Sequence, residues 1–132
     1  MTVLIDTSAW IEYLRRADSR TALAVTSVID NGTAATTDVV IMEVLAGTTD
    51  GDRLLSWERV LEGTTYLPQA AREDAQAAAG LYRTCRRAGE TPRQLTDCVV
   101  AAVAIRNNVP VLHNDRDYDV LARHTALEVS PL

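Results

Sequence analysis

Short apolar runs alternate with longer stretches of helical periodicity along the whole chain, and no other sequence feature constrains the fold as strongly. Five runs have the apolar or β-prone composition of strands, at residues 3–5, 33–36, 64–67, 109–112 and 127–129. The stretches between them predict helices around 10–14, at 19–29, 38–46, 50–62, 70–88 and 91–105, and near 120–123. Strands separated by helices need crossover connections, so neighbouring strands run parallel and both faces of the sheet are covered. The predicted fold is α/β, a three-layer α/β/α sandwich with a central, mainly parallel sheet.

One helix start is marked more clearly than the others. Thr91-Pro92-Arg93-Gln94 has the pattern of a capping box with proline at the first helical position. It predicts a helix over 91–105 and places Asp97 inside that helix rather than at its edge.

The length of 132 residues predicts a single domain, 1–132, which can hold a core without disulfides or a structural metal. Two cysteines, Cys85 and Cys98, are too few for a disulfide framework, which favours a reducing compartment. The first segment is charged at Asp6, too early for a signal peptide, and no apolar run approaches the roughly 18 residues of a membrane span. We therefore expect a cytoplasmic protein.

The charged residues exclude several classes of protein. The chain has 18 acids and 13 bases, and every base is arginine. A net charge of −5 argues against general coating of nucleic acids, although phosphate can still bind locally. Without lysine the chain cannot be a P-loop nucleotidase, a receiver domain, a haloacid-dehalogenase-type phosphatase or a Schiff-base enzyme.

Two aspartates follow predicted strands, where ligands bind in open parallel sheets. Asp6 comes directly after the first strand, and Asp115 comes shortly after the strand at 109–112. Each has an alternative interpretation, since Asp6 could cap the next helix and Asp115 could be a turn residue.

Two further carboxylates lie in apolar helices. Glu43 has mostly apolar neighbours, and Asp97 directly precedes an uncharged run of eight residues. A buried carboxylate without a partner costs several kcal/mol, so both side chains are expected to have one. The alternatives are that Glu43 marks a solvent-facing stripe and that Asp97 caps its helix.

These four carboxylates can converge only with a compensating charge. At about 5 Å and an effective dielectric constant of about 20, each pair repels by roughly 3 kcal/mol, so the site would take up protons or a divalent cation. Oxygen ligands favour Mg²⁺ or Mn²⁺ over zinc. His113 and His124 are eleven residues apart with no cysteine near, which fits zinc badly, and both are interpreted as structural.

The chain resembles the PIN-domain ribonucleases. The resemblance is carried by Asp6-Thr7-Ser8 after a strand, Glu43 in an apolar helix, Asp97 before an alanine-rich run, and Asp115-Arg116-Asp117-Tyr118 after a strand. The length and the segment from Arg86-Arg87 to Cys98 are similar to VapC-type toxins. The resemblance implies a Mg²⁺- or Mn²⁺-dependent endoribonuclease that inhibits translation and growth, a VapB-type antitoxin that blocks it, and a homodimer within the toxin–antitoxin complex.

The resemblance also implies roles for individual residues. Asp6, Glu43, Asp97 and Asp115 would be the catalytic acids, and Asp6, Asp97, Asp115 and Asp117 would bind the metal. Ser8 or Thr7 would supply a hydroxyl that orients a carboxylate. His113 stands where the family often has threonine or serine, so the hydrogen bond expected at that place would come from a histidine.

A group of arginines precedes Asp97 in the chain. Arg83, Arg86, Arg87 and Arg93 are accompanied by a single acid, Glu90. They either contact RNA phosphates or form a solvated helix end that the helix dipole favours.

Two other functions remain possible from the sequence. One is another metal-dependent α/β nuclease, such as a flap-type DNA nuclease, and the other is a catalytically inert PIN-like binding module. Activity on RNA and DNA and the affinity for Mn²⁺ would separate them.

Overall fold

The computed structural model describes all residues, 1–132, and contains four strands and seven helices. The strands are β1 (Val3–Ile5), β2 (Ala34–Thr36), β3 (Thr65–Tyr66) and β4 (Val111–Leu112). The helices are α1 (Thr7–Arg15), α2 (Arg20–Asp30), α3 (Asp38–Ala46), α4 (Asp52–Glu62), α5 (Ala71–Arg87), α6 (Leu95–Asn107) and α7 (Arg116–His124).

The four strands form one parallel sheet in the order β3-β2-β1-β4. Each connection along the chain contains at least one helix, which confirms the predicted α/β class. Because β1 and β4 are neighbours, their carboxyl ends meet at one edge of the sheet. The Asp6 main-chain N–H donates to the Leu112 carbonyl oxygen at 2.9 Å, which holds these two ends together.

The strand predicted at 127–129 was wrong. Only an isolated bridge between Val111 and Val129 forms there, with hydrogen bonds from the Val111 N–H to Glu128 and from the Ser130 N–H to Val111. Because β4 has only two residues, it offers too little ladder for a fifth strand to extend. The last helix also begins earlier than predicted, at Arg116 rather than near residue 120.

The predicted capping box at Thr91 was wrong as well. Helix α6 begins at Leu95, and its N-cap residue Gln94 makes no side-chain capping bond. Instead, one oxygen of Asp117 accepts hydrogen bonds from the main-chain N–H groups of Arg93 (2.9 Å) and Gln94 (3.1 Å). A carboxylate distant in the sequence therefore holds this segment outside the helix, and Asp97 lies in the first turn of α6.

The core consists mainly of β1, β2 and β4 together with α6 and α7, whereas both residues of β3 are exposed. Strand residues such as Leu4 and Leu112 are fully buried, as is most of the apolar run that follows Asp97. Helices α5 and α6 are also joined by an ion pair, in which the exposed Arg106 donates to both carboxylate oxygens of the buried Asp74 at 3.0 and 2.8 Å. None of the seven helices combines the length and apolar character that crossing a bilayer requires.

Candidate active site

Three carboxylates meet beside the carboxyl end of β4. Asp97 projects from the first turn of α6, Asp115 is the N-cap residue of α7, and Asp117 lies in the first turn of α7. One oxygen from each lies within 4.8 Å of the others. The short segment after β4 and the start of α6 thus build an acidic centre from distant parts of the chain.

Asp6 lies next to this centre and is held on both of its oxygens. As the N-cap residue of α1, it accepts through Oδ2 from the main-chain N–H of Ser8 (2.9 Å) and from the Ser8 hydroxyl (2.6 Å). Its Oδ1 accepts from the Tyr118 hydroxyl at 2.6 Å. The carboxylate is 3% exposed, so its orientation is set by these contacts rather than by water.

Tyr118 links Asp6 to Asp97. Its hydroxyl lies 2.6 Å from Asp6 Oδ1 and 3.3 Å from Asp97 Oδ1, and the side chain is fully buried. Tyr118 belongs to the sequence motif described above, but its role at the site was not predicted. The only signal was a tyrosine directly after Asp117, since a buried tyrosine hydroxyl normally has a hydrogen-bonding partner.

Asp97 is the least satisfied group of the centre. Its Oδ2 is buried and has no hydrogen-bonding partner. Burial, together with the charges of Asp6, Asp115 and Asp117 and the contact with Asp117, raises the pKa of Asp97 to about 9. A divalent cation would bind this unpartnered oxygen and compensate the negative charge of the carboxylates beside it. The three side chains therefore fit such an ion.

Asp117 differs from Asp97 although the two are close. Burial raises its pKa, but hydrogen bonds, led by the one from the Arg93 N–H, outweigh burial and lower the pKa below its ordinary value. The Arg93 guanidinium also lies 3.6 Å from Asp117 and 3.3 Å from Asp115. Asp117 is thus ionised and anchors the segment before α6.

Glu43 lies near Asp6 and is hydrogen-bonded to its neighbour Thr7. Its Oε1 accepts a hydrogen bond from the Thr7 hydroxyl at 2.9 Å, and the side chain is half-buried. Burial raises the pKa of Glu43, the Thr7 hydrogen bond opposes that rise, and the charge of Asp6 adds to it. Glu43 does not belong to the group of three carboxylates within 4.8 Å.

Ser8 and His113 hold the main chain around the centre. Besides contacting Asp6, the Ser8 hydroxyl oxygen accepts from the Asn114 N–H at 2.9 Å. His113 Nδ1 accepts from the Asp115 N–H at 3.1 Å, and its ring packs 5.0 Å from the Tyr118 ring. Burial lowers the pKa of His113, which keeps the ring neutral and able to accept. The histidine therefore contacts the main chain of Asp115 and not its carboxylate.

The four arginines named from the sequence are divided between two places. Arg93 is paired with the acidic centre, as described above. Arg83, Arg86 and Arg87 are exposed on α5, where Arg86 lies 5.7 Å from the centre of the Tyr82 ring and Arg87 donates to the Thr84 hydroxyl. Arg86 and Arg87 occupy the last turn of the helix, the position that the helix dipole favours for cations.

A cleft of about 480 Å³ begins beside Thr7 and Glu43. Its apolar walls are formed by residues of α1, α3 and α4: Trp10, Ile11, Leu14, Val44 and Trp57. Ile11 is 41% and Leu14 is 54% exposed, so apolar surface faces solvent there.

Comparisons with known proteins agree with this geometry. The PIN domain model matches residues 3–124. Ribonuclease VapC11 of Mycobacterium tuberculosis (strain ATCC 25618 / H37Rv) and VapC ribonuclease Mb1587 of Mycobacterium bovis are each 42% identical over 130 residues, which is 97% of this chain and 97% of each relative.

Solved structures share the fold at lower identity. FitAcB from Neisseria gonorrhoeae superimposes with a TM-score of 0.74 at 18% identity, covering 98% of this chain and 97% of that one. VapBC-5 from Mycobacterium tuberculosis gives a TM-score of 0.65 at 21% identity over the full length of both chains. The chain belongs to the PIN-domain family and, within it, to the VapC ribonucleases.

Proposed function

We propose that the protein is a divalent-metal-dependent endoribonuclease that acts as the toxin of a type II toxin–antitoxin pair. It hydrolyses RNA phosphodiester bonds and thereby inhibits translation and growth. Family membership supports this function. The observation that carries it is the buried, unpartnered Oδ2 of Asp97 beside Asp115 and Asp117.

The metal is Mg²⁺ or Mn²⁺, because all the available donors are carboxylate oxygens. Asp97, Asp115 and Asp117 form the closest group. Asp6 lies outside that group and is proposed as the fourth ligand because the Tyr118 hydroxyl joins it to Asp97. When bound, such a cation supplies Lewis acidity toward a phosphate oxygen and lowers the pKa of water.

The surrounding residues position the carboxylates. Ser8 donates twice to Oδ2 of Asp6 and Tyr118 once to Oδ1, so the carboxylate is fixed with one lone pair, on Oδ1, left for a metal. Thr7 holds one oxygen of Glu43, and the other oxygen makes no hydrogen bond within the protein. Glu43 is the catalytic acid proposed beside the metal-binding set, and its free oxygen is the atom available to a substrate.

The proposed partner is a VapB-type antitoxin, within a complex that contains a homodimer of the toxin in the cytoplasm. The apolar cleft that begins at Glu43 supplies a surface for it, since an inhibitor seated on Ile11 and Leu14 would also cover the catalytic acids. Leu45 is not part of this surface and lines a different cavity, next to Leu61 and Tyr66.

Cleavage of purified total RNA by the wild-type protein, in Mn²⁺ and in EDTA, tests the proposal. Asp97→Asn and Asp115→Asn are expected to lower cleavage by at least about a hundredfold, because each removes a carboxylate of the metal site. Asp52→Asn, a matched change at an exposed carboxylate on α4, is expected to cleave like the wild type. Cleavage of DNA in preference to RNA, or full activity of Asp97→Asn in Mn²⁺, would contradict the assignment.

A further inference from the structure

A polar cavity of about 440 Å³ opens beside the acidic centre, and Glu43 is not among the residues that line it. Asp115 lines it, together with Arg20, His113, Asn114, Arg116 and Asp119. Its volume lies in the range of about 300–1,000 Å³ that is usual for ligand sites. Because Asp115 belongs to both, the cavity adjoins the carboxylates at which the scissile phosphate would lie.

The two arginines of the cavity are free to bind an anion. Neither Arg20 nor Arg116 forms an ion pair with a side-chain carboxylate, and both are exposed. Arg20 donates from Nη2 to the main-chain oxygen of Leu132, which also lines the cavity, at 3.2 Å, and a phosphate bound to Arg20 would replace this contact. The remaining carboxylate of the cavity, Asp119, lies 3.6 Å from His113 Nε2. The guanidinium groups are therefore available to a phosphate, which they can bind through two parallel hydrogen bonds.

The four arginines that the sequence singles out are less suited to binding this phosphate. Arg93 is already paired with Asp115 and Asp117. Arg83, Arg86 and Arg87 line neither this cavity nor the cleft at Glu43.

The wall of the cavity is also fixed relative to the acids. The Asn114 N–H donates to the Ser8 hydroxyl oxygen at 2.9 Å, and that hydroxyl donates to Asp6 at 2.6 Å. A phosphate bound in the cavity would thus be held at a constant distance from the carboxylates, which is the requirement for positioning a substrate.

We propose that Arg116 and Arg20 bind a backbone phosphate of the RNA that neighbours the phosphate being hydrolysed. The inference rests on the proposed function and adds a substrate-binding site to it. A phosphodiester is the chemical class that two free guanidinium groups beside a nuclease centre recognise.

Binding of a fluorescein-labelled oligouridylate of about 12 nucleotides, measured by anisotropy in EDTA to prevent cleavage, tests the inference. Arg116→Ala and Arg20→Ala are each expected to weaken binding roughly three- to tenfold. Each should also reduce the slope of log affinity against log salt concentration by about 0.7, the value for one phosphate contact on a single strand. Arg116→Lys keeps the charge and is expected to keep the wild-type slope with reduced affinity.

The matched control is Arg72→Ala, at an exposed arginine of α5 that does not line the cavity. It is expected to change neither the affinity nor the slope. In Mn²⁺, the two cavity variants should raise KM for RNA cleavage several-fold with little change in kcat, because their contacts lie away from the reacting bond.

The outcomes separate the inference from the proposed function. If the wild type cleaves RNA but the cavity variants keep the wild-type slope and KM, the cavity assignment is wrong and the ribonuclease function stands. An equal loss in Arg72→Ala would also overturn it, because the effect would then be one of overall charge. A wild type that neither binds nor cleaves RNA would overturn both.

Discussion

The Asp97 carboxyl experiences three influences that oppose its ionisation: burial, the charge of Asp6, and the contacts with Asp115 and Asp117. They raise its pKa from 3.8 to about 9, while Asp117, a few ångströms away, has a lowered pKa because main-chain N–H groups stabilise its charge. The metal-free protein therefore keeps one proton in the centre at neutral pH.

This shift predicts a pH dependence of stability in EDTA. Between pH 3.8 and about 9 the folded protein binds a proton at Asp97 that the unfolded chain has lost. The stabilisation that this carboxyl contributes to the folded state is therefore fully present below pH 3.8 and declines as the pH rises to about 9. One carboxyl gives a slope of roughly −1.4 kcal/mol per pH unit in the free energy of unfolding. Urea unfolding at pH 5 and at pH 8, which both lie between the two pKa values, measures this slope.

Asp97→Asn is the control for this prediction. An amide cannot titrate, so Asp97→Asn should lack this contribution to the slope and exceed the wild type in unfolding free energy at the upper end. The other groups with shifted pKa values, His113 and Glu43, remain in both proteins, so the difference between the two profiles isolates Asp97. Parallel pH profiles for the two proteins would show that the Asp97 pKa is not raised.

The Tyr118 hydroxyl supports a second prediction at this scale. Tyr118→Phe removes the donor that serves Asp6 at 2.6 Å and leaves a buried carboxylate oxygen without it. In EDTA we expect a loss of about 1–3 kcal/mol in the free energy of unfolding, together with weaker Mn²⁺ binding by titration calorimetry. Tyr82→Phe, whose hydroxyl makes no such bond, should change neither measurement. A Tyr118→Phe protein with wild-type Mn²⁺ affinity would remove any positioning role for this hydroxyl.

Individual residues show where sequence reasoning stops. The acidic residues could be picked out because a carboxylate is unusual at the end of a strand or in an apolar helix. Tyr118 could not, because its partner Asp6 is 112 positions away in the chain and a tyrosine in a short helix is unremarkable. Which arginines are free also depends on folding, since only the structure shows that Arg93 is paired and Arg116 is not.

At the scale of the elements, two aspartates are helix caps and also lie at the candidate site, so the two interpretations of each are compatible. Asp6 caps α1 through Oδ2, and Asp115 caps α7 through Oδ1, which accepts from the Asp117 N–H at 2.9 Å. A strand that ends in an N-cap aspartate aims that side chain at the sheet edge where the next helix begins. Local sequence is sufficient to predict this arrangement.

The start of α6 shows the opposite case. Thr91 and Pro92 form a local signal for a helix, but hydrogen bonds from Arg93 and Gln94 to Asp117 keep the segment non-helical. A charged acceptor supplied by tertiary structure outweighs a local capping preference, which is worth only about 1 kcal/mol.

Amide hydrogen exchange distinguishes the effect of the Asp117 carboxylate from that of the local capping pattern at Thr91. Asp117→Ala should accelerate exchange at the Arg93 and Gln94 amides by at least about tenfold, because their acceptor is removed. Thr91→Ala should leave both rates unchanged, since Thr91 is exposed and makes no capping bond. Protection lost in Thr91→Ala and kept in Asp117→Ala would restore the capping box.

For the whole molecule, the parallel sheet could be predicted from the alternation of strands and helices, but the strand order could not. Pairing of β1 with β4 joins the first and last strands of the chain, and this long-range contact brings Asp6 to Asp115 and Asp117. The chain's net charge of −5 equals in number the five acids at or beside the site: Asp6, Glu43, Asp97, Asp115 and Asp117. The fold therefore brings acids from distant parts of the chain together at one edge of the sheet.

A cation bound there should stabilise the whole domain. A ligand that binds only the folded state at a hundred times its Kd adds about 2.7 kcal/mol, which for a chain of this size raises Tm by roughly 10 °C. Differential scanning fluorimetry from EDTA to saturating Mn²⁺ measures the rise, and Mg²⁺ should act in the same direction at higher concentration. Asp52→Asn, with its exposed carboxylate on α4, should respond like the wild type.

Asp97→Asn should separate the two effects of the cluster. At pH 8 folding forces Asp97 to take up a proton that the unfolded chain has lost, and the amide has no such cost, so metal-free Asp97→Asn should melt above the wild type. Its Tm should rise little with Mn²⁺, because an amide cannot supply the carboxylate that the ion would bind. The wild type would then be the less stable protein in EDTA and the more stable one in saturating Mn²⁺. Melting curves of the wild type that coincide at every Mn²⁺ concentration would mean that the three carboxylates within 4.8 Å bind no metal.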